Sequence, residues 1–298
     1  MNLRFSGAYQ VRVLRPDGSI RMETEFFDNL ITNQGLDVYG GVGSVSVLWV
    51  TNGTTPPSVT DTTLSGTILG YSGSGSAANT GQTATLPNYA ELTFTHTFAV
   101  GGVIGTITEL GRGAGGPSTV NTLFSRALIV NSGGTPISIT LTATDQLVIV
   151  YKIRAYIPDD DVIASMDVNG VTTNLTIRPM LVSNAAIWGA SIATLSFDGS
   201  QSGVHTGAIG SRTGVPAGTF TSCSSVTNAT YVPGSYARAF SMIWLPAKGA
   251  FTAASFRAGQ ASGQPAGGWQ VSLSPSIIKT NLQTLRIEGE LSWSRYVP

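Results

Sequence analysis

Short runs of alternating apolar and polar residues, separated by turn-forming residues, recur along the chain and constrain its fold more than any other feature. One run covers residues 9–14 and ends at the turn-forming tetrapeptide of residues 16–19. A two-residue period is typical of a half-buried strand, and Pro and Gly favour a tight turn. Asn169-Gly170 lies between two further alternating runs, which is a strong hairpin signal. The pattern predicts an all-β fold of two antiparallel β-sandwich or jelly-roll-like units.

One helix interrupts the predicted strands. Residues 29–39 have candidate N-caps at Asp28, Asn29 and Thr32 and are followed by Gly40-Gly41, so we expect one short N-terminal helix there. The composition changes after residue 179. We therefore expect a β-rich scaffold and attachment domain over residues 1–180 and an exposed C-terminal β-sandwich over residues 181–298.

Composition predicts two surface segments, and alternation of apolar and charged residues predicts one edge strand. Residues 58–87 are rich in Ser, Thr and Gly and are expected to form a long surface excursion. Residues 111–116 are dominated by Gly and are expected to be a flexible loop, because they lack the Lys and hydroxyl residue of a phosphate-binding loop. The last run, residues 282–296, alternates apolar and charged residues, as a half-buried antiparallel edge strand does.

The charge balance excludes several classes of function. Charged residues are only 11% of the chain and the formal net charge is +0, so there is no basic surplus for binding nucleic acid. The apolar runs are far shorter than the roughly 20 residues that cross a bilayer, so no membrane insertion is expected. The single Cys223 and the absence of an apolar N-terminal leader fit a chain made in a reducing cytoplasm. So little charge favours a subunit that associates with copies of itself.

Catalytic chemistry has weak support in the sequence. The only two histidines, His96 and His205, lie far apart, and no nucleophile motif accompanies them. We interpret His96 as an ordinary strand residue. Glu288 and Glu290 share one face of the last run and are better explained as charges that discourage strand-on-strand aggregation. No catalytic residue and no cofactor is predicted.

Two binding sites are candidates. The consecutive Asp159, Asp160 and Asp161 follow Pro158 and form either a polar turn or a Ca²⁺ site, because Ca²⁺ prefers several loop oxygens. Among the tryptophans, four lie inside apolar runs that indicate the core, whereas Trp269 follows two glycines. Trp269 is therefore the candidate exposed binding residue, able to stack on a sugar.

Several segments, taken in order, resemble structural proteins of tailed bacteriophages, usually described as tail or tail-fibre proteins. They are NLITNQGLD (29–37), VTNGTTPPSVTDTTL (50–64), ITELG (107–111), TLFSRALI (122–129), PI (136–137), DQLVIVY (145–151) and LSWSR (291–295). The similar proteins tend to carry a Gly-rich GTG turn where this chain has Asn52-Gly53-Thr54, and residues 181–281 match no segment of that family.

The resemblance implies a virion component of the tail, without catalytic residues, that is assembled in the host cytoplasm. Its expected partners are copies of itself, with a trimer as the assumed symmetry, other tail proteins and a host-surface glycan. Two alternatives stay open. One is a capsid decoration or head-fibre protein, and the other is a glycan-degrading or glycan-binding tailspike module. Glycan degradation requires two carboxylates that converge in a cleft.

Overall fold

The structure is a computed structural model that describes residues 2–73, 75–82, 85–168, 170–181, 195–197, 199, 202–245, 251–260, 264–280 and 282–297. In the first part of the chain the elements are β1 (Asn2–Leu14), β2 (Ile20–Glu23), β3 (Phe27–Asp28), β4 (Leu30–Ile31), α1 (Asn33–Tyr39), β5 (Val47–Thr51), β6 (Ile68–Ser72), β7 (Ser76–Gln82), β8 (Tyr89–Thr97), β9 (Gly105–Ile107), β10 (Glu109–Gly116), β11 (Thr119–Leu128), β12 (Ile139–Leu141) and β13 (Gln146–Tyr156). In the second part they are β14 (Val162–Val168), β15 (Val171–Leu181), β16 (Ser196–Phe197), β17 (Gly203–His205), β18 (Phe220–Ser222), β19 (Ser225–Asn228), β20 (Ala237–Trp244), β21 (Phe251–Gln260), β22 (Gln264–Ile277) and β23 (Leu285–Arg295). The predicted all-β class is confirmed, with α1 as the one helix of the described residues.

The turn and the helix near the N-terminus follow their local sequence. The turn between β1 and β2 has Gly18 at φ +80°, a conformation that glycine adopts without strain. The helix begins later than expected because residues 30–31 pair with β11 as β4. Its N-cap is Thr32, whose hydroxyl accepts the Gly35 backbone N–H at 3.0 Å.

The described strands form four sheets. The largest has nine strands in the order β19-β20-β23-β1-β13-β8-β7, with β2 and β3 also paired to β1. The others are a five-stranded sheet (β4-β11-β10-β5-β6), a seven-stranded sheet (β14-β15-β22-β21-β17-β18, with β16 on β21) and the pair β12-β9. Neighbouring strands are antiparallel except β1 and β23, which are parallel and pair Asn2 with Ser292.

The nine-stranded sheet contacts the five- and seven-stranded sheets. The Tyr9 hydroxyl of β1 lies 3.1 Å from the Ser125 hydroxyl of β11. Further along the sheet, the ring of Phe240 on β20 lies 3.9 Å from that of Phe197 on β16. We call the first contact region the N-terminal sandwich and the second the C-terminal sandwich; the two share one sheet.

Strand pairing crosses residue 180 in both directions. β14 and β15 begin before that residue and pair within the seven-stranded sheet, whereas β19, β20 and β23 follow it and extend the nine-stranded sheet. The division at residue 180 stays a prediction. The last strand is not the antiparallel edge that we expected, because residues 285–292 pair with β20 and residues 292–295 pair with β1 in parallel.

The two predicted loops contain strands. Residues 58–87 include β6 and β7, and residues 111–116 belong to β10, so the prediction of a flexible loop there is wrong. Gly113 shows the physical reason: a Cβ atom at this position would lie 1.9 Å from the Thr122 carbonyl oxygen. The glycines let β11 approach β10 closely, so they belong to the sheet and not to a loop.

Candidate functional site

Two of the three consecutive aspartates, Asp159 and Asp161, contact arginines. Asp161 pairs with Arg178, whose Nη2 lies 2.7 Å from Oδ2, and with Arg212, whose Nη2 lies 2.9 Å from Oδ1. The hydrogen bond from Arg178 holds the pKa of the Asp161 carboxyl below its usual value. Both oxygens of this carboxylate are therefore used by guanidinium groups.

The other two aspartates do not complete a metal site. Asp159 faces Arg4 at 3.8 Å and accepts the Asn88 backbone N–H at 3.4 Å, and Asp160 is exposed. Across the described residues, no group of three or more His, Cys, Asp and Glu side chains is placed to hold a metal ion. These carboxylates diverge toward different partners, which favours the polar-turn interpretation over the Ca²⁺ site.

Trp269 is buried, and its prediction as an exposed binding residue is wrong. It is 7% exposed on β22, and its ring lies 5.8 Å from that of Phe197. The preceding Gly267-Gly268 continue the strand and do not form a loop. The core prediction is confirmed for Trp49, Trp244 and Trp293, while Trp188 lies outside the described residues.

Arg112, in the strand that we expected to be a loop, lies in the core of the N-terminal sandwich. Its guanidinium carbon is 3.7 Å from the centre of the Phe94 ring and 4.6 Å from that of Tyr151. Its Nη1 donates to Nε2 of His96 at 3.2 Å. Aromatic faces and an imidazole thus surround a fully buried cation, which cation–π attraction helps to stabilise.

His96 is a neutral acceptor in this core. Burial, with Arg112 as the second cause, lowers its pKa to about 3. Because arginine only donates, Nε2 accepts and the proton lies on Nδ1, which is 3.0 Å from the Ser72 hydroxyl. His96 lies on β8 as the strand prediction required, and its environment does not suit a general base near neutral pH.

A second buried ionic group lies in the five-stranded sheet; we call Asp61, Glu109 and Arg126 the ionic latch. Arg126 Nη2 lies 2.6 Å from Glu109 Oε1, and Arg126 Nη1 lies 2.5 Å from Asp61 Oδ2. Glu109 is fully buried and Arg126 nearly so. A buried pair of this kind is strongly destabilised when one member is removed, because the other charge is left without compensation.

The ionic latch fixes the loop of residues 52–67. Glu109 accepts the backbone N–H groups of Ser65 and Gly66 at 3.1 and 3.2 Å and also the Thr51 hydroxyl. Arg126 donates to the Thr55 carbonyl at 2.6 Å. Gly66 is required by close packing, since a Cβ there would lie 2.1 Å from a backbone nitrogen of the facing segment. The loop is therefore a rigid surface element.

The segments that carry the family resemblance meet in space. Asp61, Glu109 and Arg126 come from three of them, residues 50–64, 107–111 and 122–129. Two other segments contact each other as well: the Trp293 indole donates to the Leu36 carbonyl at 2.8 Å, and Arg295 donates to the Asn33 side chain at 2.6 Å. Our sequence reasoning missed the latch, although a charged residue inside each of two apolar strands was a readable signal.

An apolar groove opens in the C-terminal sandwich. Its volume is about 570 Å³, and it lies between the inner faces of β14, β15 and β22 on one side and β20 and β23 on the other. The apolar side chains that line it include Met166, Val168, Leu175, Leu273, Leu285 and Ile287.

The charged residues at the groove have local partners. Arg286 pairs with Glu288 at 2.6 Å, and both side chains are well exposed. Asp167 accepts the Gly170 backbone N–H at 2.8 Å, which holds the turn between β14 and β15. The groove thus has an apolar interior and a charged rim, a composition that fits a docked polypeptide better than a polar small molecule.

Comparison with known proteins found no match: no family model, curated protein or solved structure is similar to this chain. No helix in the described part of the chain is long and apolar enough to cross a membrane.

Proposed function

We propose that this chain is a non-enzymatic structural subunit of a tailed-bacteriophage virion, associated with the tail as part of a fibre or appendage and contributing to host attachment. The observation that carries the proposal is the ionic latch. Three short segments were recognised only by their order along the chain, and their charged residues contact one another in a buried cluster. Chance matches have no reason to share one cluster, so the convergence supports the resemblance.

The surface chemistry supports a role in assembly. The chain has few charges for its length, and the groove of the C-terminal sandwich is lined by apolar side chains. Apolar surface of this kind is covered in stable assemblies. The proposed partners are sister copies and neighbouring tail proteins, and a host-surface glycan where the subunit contacts the cell.

The carboxylates at the groove support a non-enzymatic role. A glycan-cleaving site needs two carboxyl groups that face one substrate bond. Glu288 is held by Arg286, and one oxygen of Asp167 is held by the hairpin turn. An assay of host polysaccharide with the purified protein tests this part: released oligosaccharide that disappears in an Asp167→Asn variant would replace the structural role with the tailspike alternative.

The location on the particle tests the central proposal. A short epitope inserted beside Leu282, which is 87% exposed, gives an antibody access without disturbing the core. Antibody labelling of purified phage particles is expected at the tail. Labelling on the head would favour the capsid decoration alternative, and particles without any label or copy of the chain would overturn both.

Host attachment has a separate test. Purified protein is expected to bind host cells and, in excess, to slow adsorption of the phage. Full adsorption in the presence of saturating protein would remove attachment from the proposal and leave the tail location standing.

A further inference from the structure

Two strands flank the groove with an edge that no other described strand covers. β14 is the outermost strand of the seven-stranded sheet, and its only paired neighbour is β15. β23 pairs with β1 only from Ser292 onward, so its first five residues, 285–289, have β20 on one side and no strand of the described chain on the other. Uncovered strand edges are templates for pairing with another polypeptide.

The inner face of the β14–β15 hairpin is incompletely covered. Val162 is 55% exposed and Val171 is 51% exposed, although both alternate in phase with Met166 and Val168, which line the groove. Both valines are on the face that points toward the core, yet about half of each is exposed to solvent. This exposure indicates that the C-terminal sandwich buries more apolar surface when the protein self-associates.

We infer that β14 of one copy of this chain adds to residues 285–289 of β23 in a second copy. Aligned antiparallel with Val168 opposite Leu285, β14 presents Met166 opposite Ile287. This register keeps the inner-face residues of both strands on the groove side, because the two alternations stay in phase. Main-chain hydrogen bonds give the affinity, as in other cases of strand addition.

Charge complementarity selects the second copy as the occupant. In the same register Asp167 lies opposite Arg286, and Ser165 lies opposite Glu288, so no like charges face each other. Oδ1 of Asp167 holds the hairpin turn, which leaves Oδ2 to pair with the guanidinium of Arg286 in the other copy, beside the contact of Arg286 with Glu288. An opposite-charge pair across two strands stabilises that register.

The exchange is reciprocal. Each copy carries both the donor strand β14 and the acceptor edge of β23, and both line the same groove. A two-fold axis through the groove therefore covers both of these edges in both copies at once, and this closed arrangement leaves neither of them open for further growth. The inference rests on the proposed function, which includes association with sister copies, and it identifies the surface through which the copies associate.

The test uses charge reversal in two separate chains. Asp167→Arg alone and Arg286→Asp alone each place like charges opposite each other at both contacts of a dimer, so each is expected to weaken self-association about tenfold or more. In a dimer of one variant with the other, both contacts again join a cation to an anion: one has the two charges exchanged, and the other keeps the wild-type pair. Mixing equal amounts is therefore expected to restore association, as measured by sedimentation velocity over a concentration series.

Asp167→Asn is the matched control, because it keeps a side-chain oxygen for the Gly170 N–H and loses only the charge. It is expected to weaken association less than the reversal does. Melting temperatures of all variants exclude unfolding as the cause. A wild-type monomer at every concentration, or association that mixing does not restore, overturns the inference.

The outcome is separable from the test of function. Tail labelling with no effect of either reversal rejects this surface and leaves the tail role intact. Restored association in a protein absent from virions rejects the tail role and leaves the surface.

Discussion

The two sandwiches share one sheet but differ in where their charged groups lie. The N-terminal sandwich encloses charge: Arg112 lies between aromatic rings, and the ionic latch is buried in the adjoining sheet. The groove of the C-terminal sandwich has its charges at the rim and an apolar, open interior. An enclosed charge needs nearby groups that compensate it, whereas a large open apolar groove is typical of a binding surface. We therefore expect the first region to hold its own shape, and the proposed self-association would complete the second.

Removal of Arg126 is the strongest way to break this comparison. Arg126→Met leaves Glu109 buried without its cation and is expected to lower the free energy of unfolding by about 3–5 kcal/mol. Chemical denaturation measures the loss. Arg12→Met, which disrupts the more exposed pair with Glu23, is the control and is expected to cost at most about 1 kcal/mol. Equal losses would mean that the latch does not hold the N-terminal sandwich.

Two tryptophan truncations compare the closed and open regions directly. Trp293→Ala removes a buried ring with its hydrogen bond to Leu36 and is expected to cost about 4 kcal/mol. Trp269→Ala is expected to cost about 3 kcal/mol, because the groove beside it already leaves part of the ring without packed neighbours. Denaturation curves measure both. A Trp269 variant of unchanged stability would contradict its burial.

The two sandwiches are expected to lose stability at different pH values as the solution is acidified. His96 is neutral when folded and takes up a proton near pH 6.5 when unfolded. Stability is therefore expected to fall by up to about 1.4 kcal/mol for each pH unit between about 6.5 and 3. His96→Gln keeps an acceptor for Arg112 and is expected to remove this slope. A slope that persists in the variant would assign the acid sensitivity to other groups.

In the C-terminal sandwich the corresponding loss begins at lower pH. The lowered pKa of Asp161 means that its contribution is present above its ordinary value of 3.8 and is lost as the pH falls through the folded-state value. Asp161→Asn is expected to cost about 1 kcal/mol near neutral pH, since the pair with Arg178 is partly exposed. Thermal melts at pH 7 and pH 3 measure it.

The smallest effect concerns calcium. Because the oxygens of Asp161 already contact Arg178 and Arg212, millimolar Ca²⁺ is expected to leave the melting temperature unchanged. A rise that EDTA reverses would restore the Ca²⁺ interpretation.

Elements whose structure is decided by neighbouring residues were predictable from the sequence. The turn at Gly18 and the hairpin before Gly170 follow from local backbone preferences. Asn169 itself lies outside the described residues. The alternation of β23 also matches its burial, with Leu291 and Trp293 buried and Arg286 exposed.

Features decided by distant partners were not predictable in the same way. Gly113 belongs to a strand only because β11 approaches it, and Trp269 is buried against Phe197, which lies far from it along the chain. The latch joins Arg126 to Asp61, 65 positions away, and no local period encodes such a contact. Charged residues in apolar strands are the one usable sequence signal for such a contact. This signal indicates which residues form a buried ionic cluster but not which residues they pair with.

The position of β23 makes formation of the largest sheet depend on the last described strand of the chain. This strand is made after every other described strand, yet it lies between β20 and β1 in the middle of the largest sheet. A prematurely terminated chain that stops before residue 285 leaves β1 and β20 without the strand that joins them. Such a product lacks both the link between the sandwiches and one wall of the groove, so it cannot form the nine-stranded sheet.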